Sequence, residues 1–405
     1  MVDFNFSEEE ELFREAMREF CQKNIAPRAK DIDEKEKIPD DLIKAMADQG
    51  LMGITISEDY GGQGANFVLA SIAGEEIARA DVSVATAVLY LVEASWAIIL
   101  EKYGTDEAKE EILPKVCRGE WLCGIATTEP GGGSDIAGAK VTAKRQGDEY
   151  ILNGEKAYIS GVTEALKMGG GHLTNAYTDR SKGHKGQTFF FVPLKEAVES
   201  GTATTSVFHD MGRMGISTGA FAMRDTKVPA HYALEEGRGF YQSMEGFNNA
   251  RVIIGATCVG AAEACLEQGL EYIKERKAFG QPLAAFQGVQ FQAAEAYASL
   301  EAAKLIAYKA AWQQDRLFAG ETTLSEANKA IALSKLTCPT TAFNVINNVM
   351  DWYGAYGYTK EAEFERALRG VRSYSIGAEG ATNVMRIIIA REILGKQFWD
   401  MVKKM

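Results

Sequence analysis

The sequence lacks a surplus of positive charge. Its 405 residues include 44 lysines and arginines against 56 aspartates and glutamates, a formal charge of −12. A protein this acidic repels the phosphates of nucleic acid and of anionic lipid headgroups, so we expect it to bind neither nucleic acid nor a membrane surface. A site for an anionic nucleotide or coenzyme must therefore concentrate arginine and lysine side chains locally.

Cysteine pairs, metal-ligand patterns and long apolar runs are also missing. The six cysteines include no CxxC pair, which favours free structural thiols over disulfides, and the four histidines lack metal-ligand spacing. The N-terminal residues MVDFNFSEEEELF fit neither a signal peptide nor a mitochondrial presequence. Apolar runs fall short of the roughly 18 residues that span a bilayer. We therefore expect a cytoplasmic protein without a metal.

The chain has an ordinary globular composition, 46% hydrophobic and 25% charged. Along it, the pattern of apolar and turn residues changes twice, which divides the chain into three parts. Residues 1–122 show helical spacing, beginning with a capping box at Ser7 to Glu10. Residues 123–235 combine turns with short strand patterns, such as 150–154 and 188–193. Helical spacing returns over 236–405. The sequence predicts an N-terminal helical domain, a middle β domain and a C-terminal helical domain with these bounds.

A glycine-rich polar loop covers residues 126–135, ATTEPGGGSD. Three consecutive glycines permit a tight turn and let the backbone approach a ligand closely. Thr127, Thr128 and Ser134 bring hydroxyls to the same bend. The pattern is neither a P-loop nor a dinucleotide-binding fingerprint. Taken alone, the loop is either a surface turn or one wall of a ligand site.

A second polar segment, residues 156–161 (KAYISG), follows a predicted turn at Asn153 and Gly154. On a strand, Tyr158 and Ser160 point to the same side. An aromatic ring two residues from a hydroxyl suits a flat heterocycle. The alternative is half of a β-hairpin with a packed tyrosine.

Two further segments lie in the C-terminal third. In residues 275–287 (ERKAFGQPLAAFQ), Arg276 lies at the end of a predicted helix. There the helix dipole stabilises its positive charge, or the side chain pairs with a phosphate. In residues 375–383 (SIGAEGATN), Glu379 lies between small residues in an apolar neighbourhood. Burial would raise its pKa and suit it to act as a general base. The alternative is an ordinary glutamate at a helix N-terminus.

Together these segments resemble the acyl-CoA dehydrogenase family over essentially the whole chain. The loop TEPGGGSD, the strand NGEKAYIS, the segment ERKAFGQP, the turn YGAYGY and the tail that begins EGATN occur in the family's order. The resemblance implies a mostly α fold with an N-terminal helical domain, a central β-barrel and a C-terminal four-helix bundle. It also implies FAD as cofactor, an acyl-CoA substrate, an electron-transfer flavoprotein as electron acceptor and a homotetramer (a dimer of dimers).

The resemblance also assigns the FAD site residue by residue. Tyr158 stands where the family usually has tryptophan and Ser160 where it has threonine, so the chemical types are kept. Asp351 replaces the usual glutamine, and a carboxylate next to a pyrophosphate is unfavourable. The residues implied to contact FAD are Ile125, Ala126, Thr127, Thr128, Ser134, Tyr158, Ile159, Ser160, Asp351, Gly354, Ala355, Gly380, Thr382 and Asn383, with Arg276, Phe279 and Gln287 reaching the FAD of the adjacent subunit.

The implied reaction is α,β-dehydrogenation of the thioester to a 2-enoyl-CoA. Glu379 takes the α-proton while the β-hydrogen leaves as hydride to flavin N5. The backbone N–H of Glu379 and a ribityl hydroxyl of the flavin polarise the thioester carbonyl. The residues implied to contact the CoA thioester are Ser134, Asn248, Arg251, Glu379 and Arg391. An oxidase-like or an enoyl-CoA reductase-like enzyme is the alternative, and a flavoprotein without catalytic activity is a third, against which the presence of Glu379 argues.

The acyl group is predicted from what precedes the base. Gly377 and Ala378 stand where many relatives carry a bulky aromatic residue, so we expect a wide pocket and a branched, cyclic or aryl-bearing acyl group, such as the benzylsuccinyl type. Straight-chain and dicarboxylic acyl groups are the alternatives. Ala85 occupies the position of the arginine that clamps glutaryl-type carboxylates, which does not support such a clamp. Glu93 aligns with a pocket-floor position and is expected to be a hydrogen-bonded core carboxylate.

Overall fold

A computed structural model of the protein describes residues 5–395 and 397–398. In the described residues the N-terminal unit is helical, and α1 begins with the predicted capping box. The Glu10 N–H donates to the Ser7 hydroxyl at 3.2 Å, and the Ser7 N–H donates to the Glu10 carboxylate at 2.7 Å. The helices of this unit are α1 (Glu8–Asn24), α2 (Ala29–Lys35), α3 (Asp40–Asp48), α4 (Phe67–Ala80), α5 (Ala85–Tyr103) and α6 (Asp106–Cys117).

The middle unit is a curled seven-stranded sheet. The strands run in the order β1-β4-β2-β3-β7-β6, and β5 pairs with β4. The β1–β4 pair is parallel, whereas β3 and β7 form a long antiparallel pair. The strands are β1 (Leu122–Ala126), β2 (Thr142–Gln146), β3 (Glu149–Ser160), β4 (Gly170–Tyr177), β5 (Gln187–Pro193), β6 (Ala203–Val207) and β7 (Thr218–Pro229), with the helices α7 (Val162–Met168) and α8 (Leu194–Glu199) between them.

The turn predicted at Asn153 and Gly154 is wrong, because β3 runs straight through it. The register with β7 shifts between Leu152 and Gly154, where Gly154 has a φ of +133°. The shift marks a bulge in place of the turn. A Cβ at that glycine would lie 2.7 Å from Val141. A second shift, between Ala157 and Ile159, leaves Tyr158 at a φ of +60°.

The C-terminal unit is a helical bundle. Helices α9, α10 and α11 pack on one another, while α12 and α13 pack on α11. Helix α9 is long and apolar enough to cross a membrane, but 94% of its apolar window is buried inside the protein, as in a core helix. The elements are α9 (Gly239–Glu275), β8 (Lys277–Ala278), β9 (Gln281–Pro282), α10 (Gln287–Phe318), α11 (Leu324–Tyr353), α12 (Phe364–Ile376) and α13 (Thr382–Leu394). The predicted fold class, helical units on either side of a β domain, is confirmed.

Cysteine plays a structural part in all three units. All six thiols are buried and unbonded to one another. Burial raises the pKa of each, for example that of Cys338 to about 11, so they remain protonated and unreactive near neutral pH.

Candidate active site

A cavity of about 690 Å³ lies where the three units meet. Helix α5 gives it an apolar wall of Val88, Leu91 and Val92. The glycine-rich loop, the end of β3, α9 and the segment after α12 also contribute to the wall. The predicted site residues that line this cavity are Ile125, Thr127, Thr128, Ser134, Tyr158, Ile159, Ser160, Arg251, Glu379 and Gly380.

The glycine-rich loop presents open backbone to the cavity. No heavy atom lies within 4 Å of a Cβ built at Gly132, which lines the cavity, so a ligand has room to lie against the main chain. The Thr128 carbonyl accepts from the Ala157 N–H at 3.0 Å, which joins the loop to β3. Two segments that the sequence treats separately therefore form one surface.

Lys156 fastens that surface from behind, a role that sequence reasoning missed. Its ammonium group is fully buried and donates to the Glu129 carboxylate at 2.9 Å and to the Thr127 carbonyl at 3.1 Å. Glu129 also accepts from the N–H groups of Lys140 at 2.6 Å and Val141 at 3.0 Å. Burial lowers the pKa of Lys156 to about 8, although Glu129 opposes the shift. The sequence signal for this role was a pair of opposite charges, Glu129 in the glycine-rich loop and Lys156 in the second polar segment.

At the second register shift of β3, the ring of Tyr158 lies on the wall of the cavity. Tyr158 is 64% exposed and stacks on Phe208 with a centroid separation of 5.0 Å. The Ser160 carbonyl contacts Nε2 of the buried His172 at 3.0 Å. Burial lowers the pKa of His172 to about 4, so this ring is neutral near pH 7. It therefore supports the strand end without adding charge.

Glu379 lies on a strained turn between α12 and α13. Ala378, Glu379 and Gly380 all have positive φ, at +38°, +58° and +111°. Side chains rarely adopt this region, and such strain persists only where the surroundings impose it. Arg251 Nε donates to the Glu379 carbonyl at 2.7 Å, and Arg251 Nη1 donates to Asn248 Oδ1 at 3.0 Å.

A second buried cation, Lys335, holds the same turn, and no motif in the sequence marked it. Its ammonium group donates to the carbonyls of Tyr374, of Gly380 at 3.2 Å and of Gly377 at 3.5 Å. Burial lowers the pKa of Lys335 to about 8. The turn is thus fixed from both sides by side chains of α9 and α11.

The electrostatics at Glu379 suit proton transfer near neutral pH. Burial raises the pKa of its carboxyl group to about 7, against the opposing charges of Arg251 and Lys335. The charge of Arg213 also lowers that pKa. The Trp96 Nε1 has no hydrogen-bond partner in the described part of the chain, and its ring packs edge-on against Phe247 at 5.3 Å.

Other predicted contacts lie beside the cavity rather than on its wall. Ala126 ends β1, and Asn248 is buried against Arg251 and Asn328, the latter at 2.7 Å. On α13, Thr382 and Asn383 both accept from Arg386, at 3.5 and 2.7 Å. Arg391 is exposed on the same helix.

Six predicted residues lie together at one end of the bundle, outside the cavity lining that the described residues form. There the ends of α9 and α11 meet through stacked Tyr272 and Tyr353, 3.8 Å apart, and Trp352 Nε1 donates to Gln292 of α10 at 3.0 Å. Phe279, at the tip of the β8–β9 hairpin, is 98% exposed. The six are Arg276, Phe279, Gln287, Asp351, Gly354 and Ala355.

Glu93 of α5 points into the protein core beside β1 and does not line the cavity. It is fully buried, and its carboxyl oxygens accept from the Cys123 N–H at 3.1 and 3.3 Å. Burial raises the pKa of Glu93 to about 8. It is the hydrogen-bonded core carboxylate that the sequence led us to expect.

Comparison with known proteins covers the whole of this architecture. Models of the acyl-CoA dehydrogenase N-terminal, middle and C-terminal domains match residues 7–120, 124–226 and 237–394. The chain is 35% identical to a 3-(aryl)acrylate reductase of Clostridium sporogenes over 390 residues, covering 96% of this chain and 99% of that protein. It is 32% identical to the caffeyl-CoA reductase–Etf complex subunit CarC of Acetobacterium woodii over 397 residues, covering 96% and 100%.

A solved structure agrees with these sequence matches. Butyryl-CoA dehydrogenase from Megasphaera elsdenii superposes with a TM-score of 0.87 at 30% identity, covering 97% of this chain and 100% of that one. The chain therefore belongs to the acyl-CoA dehydrogenase family and is an FAD-dependent acyl-CoA dehydrogenase.

Proposed function

We propose that the protein oxidises the Cα–Cβ bond of an acyl-CoA thioester, with Glu379 as the base that removes the α-proton. The observation that carries this proposal is the Glu379 carboxyl group, whose pKa burial raises to about 7, on the wall of a cavity of about 690 Å³. A base with a pKa near the working pH combines a populated ionised form with useful proton affinity.

The cavity residues of the glycine-rich loop and β3 fit the flavin of FAD. Open space in front of Gly132 admits a ring against the main chain, and Tyr158 offers an aromatic face. The hydroxyls of Thr127, Thr128, Ser134 and Ser160 suit its polar edge. When bound, FAD accepts the β-hydrogen as a hydride. The chain's own residues orient the thioester and move the proton.

The strained turn gives Glu379 a second role. Its backbone N–H donates to the thioester carbonyl and stabilises the negative charge that develops there as the α-proton leaves. Arg251 and Lys335 fix the carbonyls of the same turn, so this N–H is oriented before the substrate arrives.

The cavity favours a wide acyl group. No heavy atom lies within 4 Å of a Cβ built at Gly377, two residues before the base. Val88, Leu91 and Phe247 add apolar surface. A branched, cyclic or aryl-bearing acyl group, with benzylsuccinyl-CoA as a specific candidate, uses this space better than an unbranched chain does.

The reverse reaction, reduction of a 2-enoyl-CoA, is a second candidate. The similarity to a 3-(aryl)acrylate reductase and to a caffeyl-CoA reductase subunit favours it. A Glu379 pKa of about 7 leaves both protonation states populated at neutral pH, so the same group would give its proton to Cα.

We further propose a homotetramer that exchanges electrons with an electron-transfer flavoprotein in the cytoplasm. Helix α10 leaves Phe291, Leu305 and Trp312 exposed at intervals of 14 and 7 residues, on one face of the helix. Arg276, Phe279 and Gln287 at the bundle end would complete the FAD site of an adjacent subunit. The similarity to an Etf-complex subunit supports the electron partner.

The central test is anaerobic bleaching of the flavin absorbance by a panel of straight, branched, cyclic, aryl and dicarboxylic acyl-CoA thioesters. We expect Glu379→Gln to bind FAD and CoA thioesters but to lose flavin reduction, whereas Glu361→Gln, an exposed control in the same unit, keeps it. Normal bleaching by the Glu379→Gln variant would remove the role assigned to this residue.

The direction of the reaction and the electron acceptor need separate measurements. Dehydrogenation predicts rapid electron transfer from the reduced enzyme to an electron-transfer flavoprotein and slow hydrogen peroxide formation in air. Fast peroxide formation would identify an oxidase. Reoxidation of the reduced enzyme by an aryl-acrylyl-CoA at a higher rate than the forward reaction would identify a reductase.

A further inference from the structure

A line of three hydrogen bonds joins helix α11 to the backbone of the base. Arg251 Nε donates to the Glu379 carbonyl at 2.7 Å, and Arg251 Nη1 donates to Asn248 Oδ1 at 3.0 Å. The Asn248 Nδ2 in turn donates to Oδ1 of Asn328 on α11 at 2.7 Å. Asn248 and Arg251 are three residues apart on α9, so they lie on the same face of that helix. The line therefore connects three separate segments of the C-terminal unit.

The chemistry of arginine fixes the direction of this line. A guanidinium group only donates hydrogen bonds, so Asn248 must turn its amide oxygen towards Arg251. The amide nitrogen of Asn248 then faces Asn328, which must accept. A side chain without an acceptor at position 328 would leave that amide nitrogen without its partner. It would also let the Asn248 amide turn over, which would place two donors face to face at Arg251.

Burial makes the inner part of the line hard to replace. Arg251 is 5% exposed and Asn248 is 8% exposed, whereas Asn328 is half-buried. A buried donor that loses its partner is costly, because water does not readily take the place of that partner. The ring of Phe247, whose centroid lies 5.5 Å from the guanidinium carbon, attracts the cation without fixing its rotation. The Asn248 amide therefore sets the direction in which Arg251 Nε points.

The far end of the line acts on a strained residue. Glu379 has a φ of +58°, a conformation that persists only where the surroundings impose it. Arg251 holds the carbonyl of Glu379 itself, while Lys335 bonds to the carbonyls of Gly377 and Gly380 on either side. Loss of the Arg251 contact would let the turn relax towards an ordinary φ. That relaxation would redirect both the carboxyl group and the N–H of the base.

We propose that Asn328 is a positioning residue for the base and acts through Asn248 and Arg251. This inference rests on the proposed function, because it assigns Asn328 to the orientation of Glu379 before proton transfer. In the described part of the chain, neither asparagine lines the cavity, whereas Arg251 does. Asn248, which the resemblance places at the CoA thioester, thereby takes part in orienting the base.

Stopped-flow reduction of the flavin separates positioning from substrate binding. The probe is the acyl-CoA thioester of the panel that bleaches the wild-type flavin fastest. Asn328→Leu removes the acceptor at nearly the same volume and should lower the limiting reduction rate about 10-fold, since a displacement of about 1 Å near reacting groups costs up to about 100-fold. The thioester concentration that gives half of that rate should change less than about threefold, because neither asparagine lines the cavity.

Matched variants separate the acceptor from the general effect of a substitution. Asn328→Asp keeps an acceptor oxygen at the same position and should recover most of the lost rate. Asn328→Ala removes the acceptor without adding bulk and should match Asn328→Leu, so the test survives if the leucine variant does not fold. Asn344→Leu, the same change at an exposed asparagine of α11, is the control and should keep the wild-type rate.

A double-mutant cycle tests whether the two asparagines act in one line. Asn248→Leu alone should lower the limiting rate at least as much as Asn328→Leu does. Adding Asn328→Leu to Asn248→Leu should cost little more, because the line is already broken. If the two effects multiply, the asparagines act separately and the proposal is overturned.

Crystal structures of the FAD-loaded variants keep this test independent of the reaction. In Asn328→Leu, Arg251 Nε should lie beyond hydrogen-bonding distance of the Glu379 carbonyl, and Asn328→Asp should restore the contact. If this displacement appears but no thioester reduces the flavin, the proposed reaction fails and the line to Glu379 stands. If the contact persists in Asn328→Leu, or is lost without a fall in the rate of an active enzyme, or if Asn328→Asp is as slow as Asn328→Leu, the positioning role is overturned.

Discussion

The rate of flavin reduction should rise tenfold between pH 6 and pH 8. With a pKa of about 7, the Glu379 carboxyl group is about 9% ionised at pH 6 and about 91% ionised at pH 8. A glutamate with an ordinary pKa near 4.5 would be fully ionised over that range and would give a flat profile. The tenfold change therefore reports burial of the base, which raises its pKa, rather than its mere presence.

The assay is anaerobic stopped-flow reduction of the enzyme-bound flavin at substrate concentrations below KM. The profile of kcat/KM against pH reports the base of the free enzyme. The Glu361→Gln control should follow the wild-type profile. In the reducing direction the sign reverses, because the protonated carboxyl group is then the active form and the rate falls as pH rises through 7. A flat profile from pH 5.5 to 9 in both directions would refute the reasoning.

Other side chains give further expectations. Lys156→Met should lower the free energy of unfolding by about 3 to 5 kcal/mol, because it leaves the Glu129 carboxylate buried without its cation; thermal melts would detect it, and adding Glu129→Gln should restore part of the loss. Burial raises the pKa of Glu93 to about 8, so the folded state keeps a proton that the unfolded chain releases above about pH 4.5. The free energy of unfolding therefore falls as the pH rises from about 4.5 to about 8. Glu93→Gln should remove this fall of a few kcal/mol in melts at pH 5 and pH 8.5. Lys335→Met should raise the apparent pKa of the base above 7 in the kcat/KM profile, since a cation is lost, whereas Lys329→Met, at a half-buried lysine of the same helix, should not.

The order of the units could be read from the sequence because their textures differ. Helical spacing, strand patterns and turn residues are local properties, and the capping box at Ser7 and Glu10 is formed by residues three apart. The loop 126–135 and the strand before Ser160 were recognised as polar elements for the same reason. Their meeting in one cavity with Glu379 was inferred from resemblance, because local patterns carry no distance between segments more than 200 residues apart.

What the sequence did not indicate are the groups that act through tertiary contacts. Lys335 occurs in sequence surroundings that do not distinguish it from a surface lysine, and the partner of Lys156, Glu129, lies 27 residues away, yet both lysines are fully buried. The bulge at Gly154 was mistaken for a turn, because an Asn-Gly pair has the composition of a tight hairpin turn. Only the pairing of β3 with β7 on both sides of Gly154 distinguishes a bulge from a turn.

The position of the base on a turn, rather than inside a helix, explains how its pKa reaches the neutral range. Burial alone would raise the pKa of Glu379 further, and Arg251, Lys335 and Arg213 pull it back to about 7. Arg251 and Lys335 also bond to carbonyls of the same turn, so they set both the orientation and the proton affinity of the base. These three cations come from α9, α11 and the loop before β7, so neither the C-terminal unit nor the middle unit alone contains the charges that tune it. A change that separated the two units by a small distance would therefore shift the pKa of Glu379 before it unfolded either one.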